Sequence, residues 1–188
     1  RDRVRPIFGG NPDGRRKLMK RFFSYALLIL VFFLLQTGVF SYLRLGGIAP
    51  NLLVICTASI GMIRGKTEGC LVGFFSGILY DAIYASYFGL YALILCLIGY
   101  IAGYVNRIFY EEDMTLPLVV IGAADAFYGI VVYLLTFLTR GRMDFLFYFL
   151  HIILPEMIYT LILAVLLYRL IFYIDRKLIN KGSDDAIV

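Results

Sequence analysis

From Phe22 to Tyr173 the chain is a succession of apolar runs: roughly Phe22 to Leu43, Ile48 to Ile63, Gly69 to Ser86, Gly89 to Val105, Leu116 to Leu138 and Phe145 to Tyr173. Each is near or above the ~17 to 25 residues that a bilayer crossing needs. Several also carry a carboxylate or an amide where hydrocarbon penalises it. Helices satisfy their own backbone in lipid, so the pattern predicts an all-α membrane protein, a bundle of six transmembrane helices. The count of six depends on one break. A single helix over Gly69 to Val105 would run about 55 Å against a hydrocarbon core of ~30 Å, so the chain must turn, at Ala85-Ser86-Tyr87-Phe88-Gly89. The second run is the shortest and opens on Pro50-Asn51, which makes it either a full span or a re-entrant segment.

With 61% hydrophobic and 16% charged residues and a mean hydropathy of +0.84, no separate soluble domain fits. Residues 19–174 read as the six-span membrane domain and 175–188 as a cytoplasmic tail. Residues 1–18 read as a disordered basic extension or an extended start, because Met19-Lys20-Arg21 stands directly before the first apolar run. That run is too long for a signal-peptide core and ends in Tyr42-Leu43-Arg44 without a small-residue cleavage site, so the first span is uncleaved.

Basic residues fix the expected orientation. They crowd the first tail (Arg15, Arg16, Lys17, Lys20, Arg21 among them), recur at Arg64, Lys66 and Arg107, and return at Arg176, Lys177 and Lys181. The opposite side holds only Arg44, Arg140 and Arg142. The positive-inside rule places both termini in the cytoplasm. The net charge of +5 follows from this bias, and the basic N-terminal tail is expected to meet anionic lipid rather than nucleic acid. Tyrosines near span ends, including Tyr25, Tyr42, Tyr87, Tyr104 and Tyr110, fit an interfacial belt. Cys56, Cys70 and Cys96 lack the spacing of any metal or cluster site and read as packing residues. No metal or cofactor is expected.

The third run holds the sharpest pattern. Gly69, Gly73, Gly77 and Asp81 recur every four residues and so share one helical face. In lipid a stripe of small residues lets a second helix approach backbone to backbone, within the chain or in a partner. It also walls Asp81 inside protein, either as a cap near the helix end or as the anchor of a polar site open to the outside. Gly99 and Gly103 form a second small pair, read as packing. Asp125, between Gly122 and Gly129, and Glu156, on one face with Tyr159 and Thr160, fall roughly midway along their runs. Both need a partner, a proton or water. Gln36, Asn51, Asp81, Tyr84 and His151 map to the outer half and are expected to line an outward-facing polar cavity. His151, the one histidine, has no second ligand at metal spacing. Pro155 should kink or locally unwind the last helix.

Catalysis has little support. Tyr80-Asp81 matches half of the motif pair of intramembrane aspartyl proteases, but Gly122-Ala123-Ala124-Asp125 lacks the second glycine of the other half. By helical rise Asp125 sits about 9 Å deeper than Asp81, too far to share a proton. Phe75-Ser76-Gly77 has no histidine at a matching depth for a serine protease. The chain is read as a non-enzyme.

The order of features resembles the rod shape-determining protein MreD family: a basic start, Leu35-Gln36-Thr37 closing the first span, Gly47-Ile48-Ala49-Pro50-Asn51-Leu52, Gly65, Gly73-Phe74-Phe75-Ser76-Gly77-Ile78-Leu79-Tyr80-Asp81, Gly89, and a last span with Glu156. The family usually has an acidic residue after the proline, where Asn51 stands here. The resemblance implies a non-catalytic scaffold of the bacterial cell-wall elongation machinery in the inner membrane. It would act beside an MreC-like single-span protein, with RodA, a penicillin-binding transpeptidase and MreB. It also implies a fold like the substrate-binding subunits of energy-coupling-factor vitamin transporters, which makes such a subunit the alternative. Those subunits carry Ala-x-x-x-Ala on the first span, and the first run here has only Ala26.

Overall fold

The computed structural model describes residues 12–44, 47–84, 89–106, 115–137 and 145–184. The turn expected at 85–88, Arg107, Tyr87, Tyr110, Arg140 and Arg142 lie outside them. The described residues form six helices and no strand. Helix α1 is Pro12–Leu34 and runs on through a π-helical turn, Leu35–Val39, into Phe40–Tyr42. Helix α2 is Leu52–Arg64, α3 Lys66–Tyr84, α4 Leu90–Val105 and α5 Thr115–Phe137. Helix α6 starts as Phe145–Tyr148, widens to a π-helical turn at Phe149–Ile153 and continues as Leu154–Asp184.

Three stretches, Phe22–Val39, Thr115–Leu135 and Phe145–Ile174, are long and apolar enough to cross a membrane, whereas Leu52–Arg64 and Leu90–Val105 are shorter. The second run, already the shortest in the sequence, thus yields a helix shorter than the run itself. Hydropathy counts apolar residues, but Pro50 and Asn51 delay the start of α2 and Gly65 ends it. The 13 residues of α2 cover only roughly 20 Å. The outer helices overrun their apolar stretches instead. Helix α1 begins at Pro12, inside the segment set apart as an extension, with proline at a first-turn position where its missing N–H costs nothing. Helix α6 likewise continues as far as Asp184, into the segment assigned to the tail. The π-helical turn before Pro155 is the local unwinding expected there, since proline removes the donor that would have met the His151 carbonyl.

Helix α2 is the axis of the fold. It touches each of the other five helices, and every residue from Leu52 to Met62 is buried. Gly65 alone joins it to α3, at φ 95° and ψ −177°, a conformation open to glycine and little else. The α3–α4 pair makes the most extensive contact in the molecule, and α5 packs along α6. Large apolar side chains such as Phe22, Phe23, Leu93, Leu146 and Leu166 face outward, as a hydrocarbon solvent allows.

Candidate functional site

Glycines fuse α2, α3 and α4 into one unit. A Cβ on Gly73 would collide with the backbone of Leu95 and Cys96, and one on Gly77 with the backbone of Ala92 and Tyr91. On Gly69 it would lie 2.5 Å from the Gly99 carbonyl oxygen. From the other side, Gly99 is pressed on the Gly69 backbone and Gly103 on that of Lys66. The stripe therefore faces α4 of the same chain. Sequence reasoning missed Gly61, where a Cβ would stand 2.6 Å from the Gly99 oxygen and 3.2 Å from Ala102 Cβ. It lies four residues before Gly65 and eight before Gly69, a spacing that carries the small-residue series back into α2. The sulfurs of Cys70 and Cys96 meet across the same contact, with Cα atoms 4.3 Å apart, a pairing that a separation of 26 positions does not reveal in the sequence. Cys56 is free and buried.

Close packing of short helices strands their ends inside protein, where orphan backbone groups need partners. At the start of α2, Gln36 Oε1 accepts from the Leu53 N–H (3.0 Å), Asn51 Oδ1 accepts from the Val54 N–H (3.3 Å), and the Asn51 N–H donates to Thr160 Oγ1 (3.1 Å). At its end, Asn106 Nδ2 donates to the carbonyls of Met62 (2.6 Å) and Ile63 (2.9 Å). Helix α4 begins at a left-handed Gly89 that offers no side-chain cap. Asp81 supplies the cap from α3: its carboxylate accepts from the Tyr91 N–H (3.2 Å) and the Ala92 N–H (2.9 Å). An anion at a helix N-terminus is also favoured by the helix dipole.

The five residues expected to share an outward cavity are thus divided. Gln36 and Asn51 converge on α2. Asp81, 3% exposed, is occupied on both oxygens at α4 and does not open outward. Tyr84 is 53% exposed and packs on the Tyr80 ring. His151 is exposed, stacked on Phe147 with centroids 4.2 Å apart, its Nδ1 3.1 Å from the Phe147 carbonyl. Of the two readings of Asp81 the cap is the one the structure has, though it caps the start of α4 and not its own helix.

A second polar group lies between α5 and α6. Asp125 is 3% exposed, and the Thr160 hydroxyl donates to its carboxylate. Glu156 is close enough to Asp125 for the two to repel. Both carboxylates act electrostatically on Tyr128, and Glu156 also on Tyr80 and Tyr148. The sequence marks both carboxylates as needing partners without pairing them, and Thr160 as a neighbour of Glu156 without its role as the link to Asn51. It marks Tyr80 only as the neighbour of Asp81 and leaves Tyr91 and Tyr128 unmarked, although polar rings inside runs rather than at run ends are a signal of their own. Among the described residues no three His, Cys, Asp or Glu side chains gather as a metal site.

No characterised protein and no solved structure matches the chain detectably. A family profile does, over nearly the whole of the helical bundle. With apolar helices long enough to enter a bilayer and a match to the rod shape-determining protein MreD profile across residues 16–178, the chain belongs to that family of membrane proteins of cell-shape determination.

Proposed function

We propose that the protein is a non-catalytic scaffold of the cell-wall elongation machinery in the bacterial inner membrane, and that it acts by binding an MreC-like single-span partner. The observation that carries this reading is the family match over residues 16–178. The glycine-fused α2–α3–α4 unit supports it, because backbone-to-backbone packing gives a rigid body on which other spans can assemble. In this reading all six helices lie in the membrane with both termini cytoplasmic, following the Lys and Arg bias. The basic first tail rests on anionic lipid. RodA, a penicillin-binding transpeptidase and MreB join through the complex. A second reading, the substrate-binding subunit of an energy-coupling-factor vitamin transporter, draws on the buried Asp125–Glu156 group, a polar site of the kind a ligand would need.

One experiment addresses topology and partner together. With the buried Cys56 and the paired Cys70 and Cys96 as background, Arg44→Cys should react with an impermeant thiol reagent from outside, while Lys66→Cys and Lys181→Cys should not. The same tagged protein, solubilised from cells, should bring down a single-span coiled-coil protein. Recovery of an ATPase-linked coupling subunit in its place would establish the transporter reading, and inverted labelling would overturn the orientation.

A further inference from the structure

We propose that the groove between α1, α2 and α6 is a binding site for an anionic phospholipid, one acyl chain lying in the groove and the phosphate met by basic residues at its open end. Ser24, Tyr25 and Leu28 on α1 and Ile171 and Ile174 on α6 form the walls, with Ile60 and Ile63 of α2 between them. The groove has a plain origin. Both outer helices pack on α2, whereas α1 and α6 make no extensive contact with each other among the described residues. They are tied at the far end, where Phe40 and Tyr159 meet edge to face with centroids 6.2 Å apart and the Tyr159 hydroxyl donates to the Leu43 carbonyl (3.3 Å). Tyr25 lies about 20 Å back along α1 from Phe40, and there the two helices stand apart over Ile60 and Ile171, which are 3% and 2% exposed.

All three helices turn basic just past the groove, and at the same end. Position 21 stands three residues before Ser24 and four before Tyr25, so arginine continues their face of α1, and Lys17 extends it by one more turn. Arg64, half-buried, closes α2 four residues after Ile60, and Lys177 follows Ile174 by three. Three stretches far apart in sequence thus bring positive charge to one place. Glu68, which accepts a hydrogen bond from the Tyr25 hydroxyl at 2.6 Å, and Asp175 offset part of it and leave the balance positive. The lining names the rest of the ligand. A soluble anion would gain nothing from four isoleucines, and a zwitterionic lipid would bring its own cation to a basic rim. A transmembrane helix, about 10 Å across with its side chains, needs a channel along the whole bundle, whereas these walls part over about one turn and close at the far end. An anionic phospholipid suits the apolar lining and the positive rim together, since basic residues at a bilayer surface draw anionic headgroups and arginine holds phosphate through paired hydrogen bonds. The site depends on the bundle lying in a membrane and not on the scaffold reading.

The test uses the full-length protein in detergent, with native mass spectrometry counting the lipids retained as phosphatidylglycerol or phosphatidylcholine is titrated. A single phosphatidylglycerol should bind ahead of all further lipid, about tenfold more tightly than phosphatidylcholine. Arg21→Gln and Arg64→Gln should each weaken it about fivefold. Arg44→Gln, an equal loss of charge at the opposite end of α1, should leave it unchanged. Ser24→Phe keeps every charge and fills the mouth of the groove, so it should abolish the tight site while weaker uptake persists. If Ser24→Phe does not fold, the three arginine variants decide. Equal binding of the two lipids, equal weakening by Arg44→Gln, or undiminished binding by a folded Ser24→Phe overturns the proposal. Binding of sn-glycerol 1-phosphate as tight as that of the lipid would give the rim to a free anion, and a polypeptide retained by the wild type but released by Ser24→Phe, with no lipid taken up, would give the groove to a partner helix. Either result overturns it as well.

Discussion

Asp81 and Asp125 begin from similar glycine-lined helix faces and end in opposite states. Both stand on helix faces lined by glycine, Asp81 after Gly73 and Gly77, Asp125 between Gly122 and Gly129, and both are 3% exposed. The glycines differ in what they touch. Those of α3 lie against backbone of α4, whereas a Cβ on Gly122 would meet the Leu161 side chain at 3.3 Å and one on Gly129 the Ile153 side chain at 3.0 Å. Backbone contact carries α3 right up to the start of α4 and delivers two N–H groups to Asp81. Side-chain contact holds α5 further from α6, and Asp125 keeps an oxygen without a partner among the described residues. In lipid, then, it is how closely the facing helix approaches, more than the small-residue pattern itself, that separates a structural carboxylate from one left available.

The most severe test of this contrast is Gly73→Leu. Four added carbons have nowhere to go against the Leu95 and Cys96 backbone, so α3 and α4 must part. Between helices in lipid no hydrophobic effect makes up for the close packing they forfeit. We expect a loss on the order of 3 kcal/mol or more, read as a lower melting temperature of the purified protein and, under the proposed function, as reduced recovery of the proposed single-span partner and rounded cells. Leu27→Ile, at a side chain 53% exposed, should do none of these. Normal stability and shape in Gly73→Leu would mean that the glycine contact does not hold the bundle.

Next in size is Asp81→Ala, which strands the Tyr91 and Ala92 N–H groups in a buried setting. At about 1 to 3 kcal/mol for an unsatisfied buried group, a loss of about 2 to 4 kcal/mol is expected. Asp81→Asn should recover part of it, since one amide oxygen can still accept while the NH2 group cannot. Faster hydrogen exchange confined to the first turn of α4 would locate the damage. A cost of similar size in Asp81→Ala and Asp81→Asn would point to charge, and not hydrogen bonding, as the source.

Much of this fold is legible from residues alone. Apolar runs mark the helices, the four-residue glycine period marks the tightest face, and Pro155 marks the widened turn of α6. What stays hidden are relations between helices distant in sequence. Gln36 reads as a polar residue near a span end, and only the placement of α2 shows that it caps Leu53. Asn106 reads as loop and proves to cap the far end of the same helix. Depth counted along α3 leaves Asp81 open between a cap near its own helix end and a site facing outside, while its true partners, the Tyr91 and Ala92 N–H groups, begin ten residues later on another helix. Backbone groups are identical at every position, so a sequence pattern cannot show which of them a side chain will serve.

The smallest expected effect is the most discriminating. Gly122→Ala places a methyl 3.3 Å from Leu161 Cδ2 and 3.5 Å from Cδ1, the far end of a flexible side chain that can turn aside by a few tenths of an ångström. Replacing a helical glycine by alanine also lowers the entropy of the unfolded chain, which favours the folded state by roughly 0.4 to 1 kcal/mol where the backbone permits it. The two effects oppose each other, and a net change within about 1 kcal/mol of zero is expected. The same substitution at Gly77 meets the Ala92 and Tyr91 backbone, which cannot turn aside, and should cost several times more. Melting temperatures of Gly122→Ala and Gly77→Ala, measured side by side in one detergent, give the ratio directly. Equal losses would show that α5 is held as tightly as α3, and the account of why Asp125 is left available would then fail.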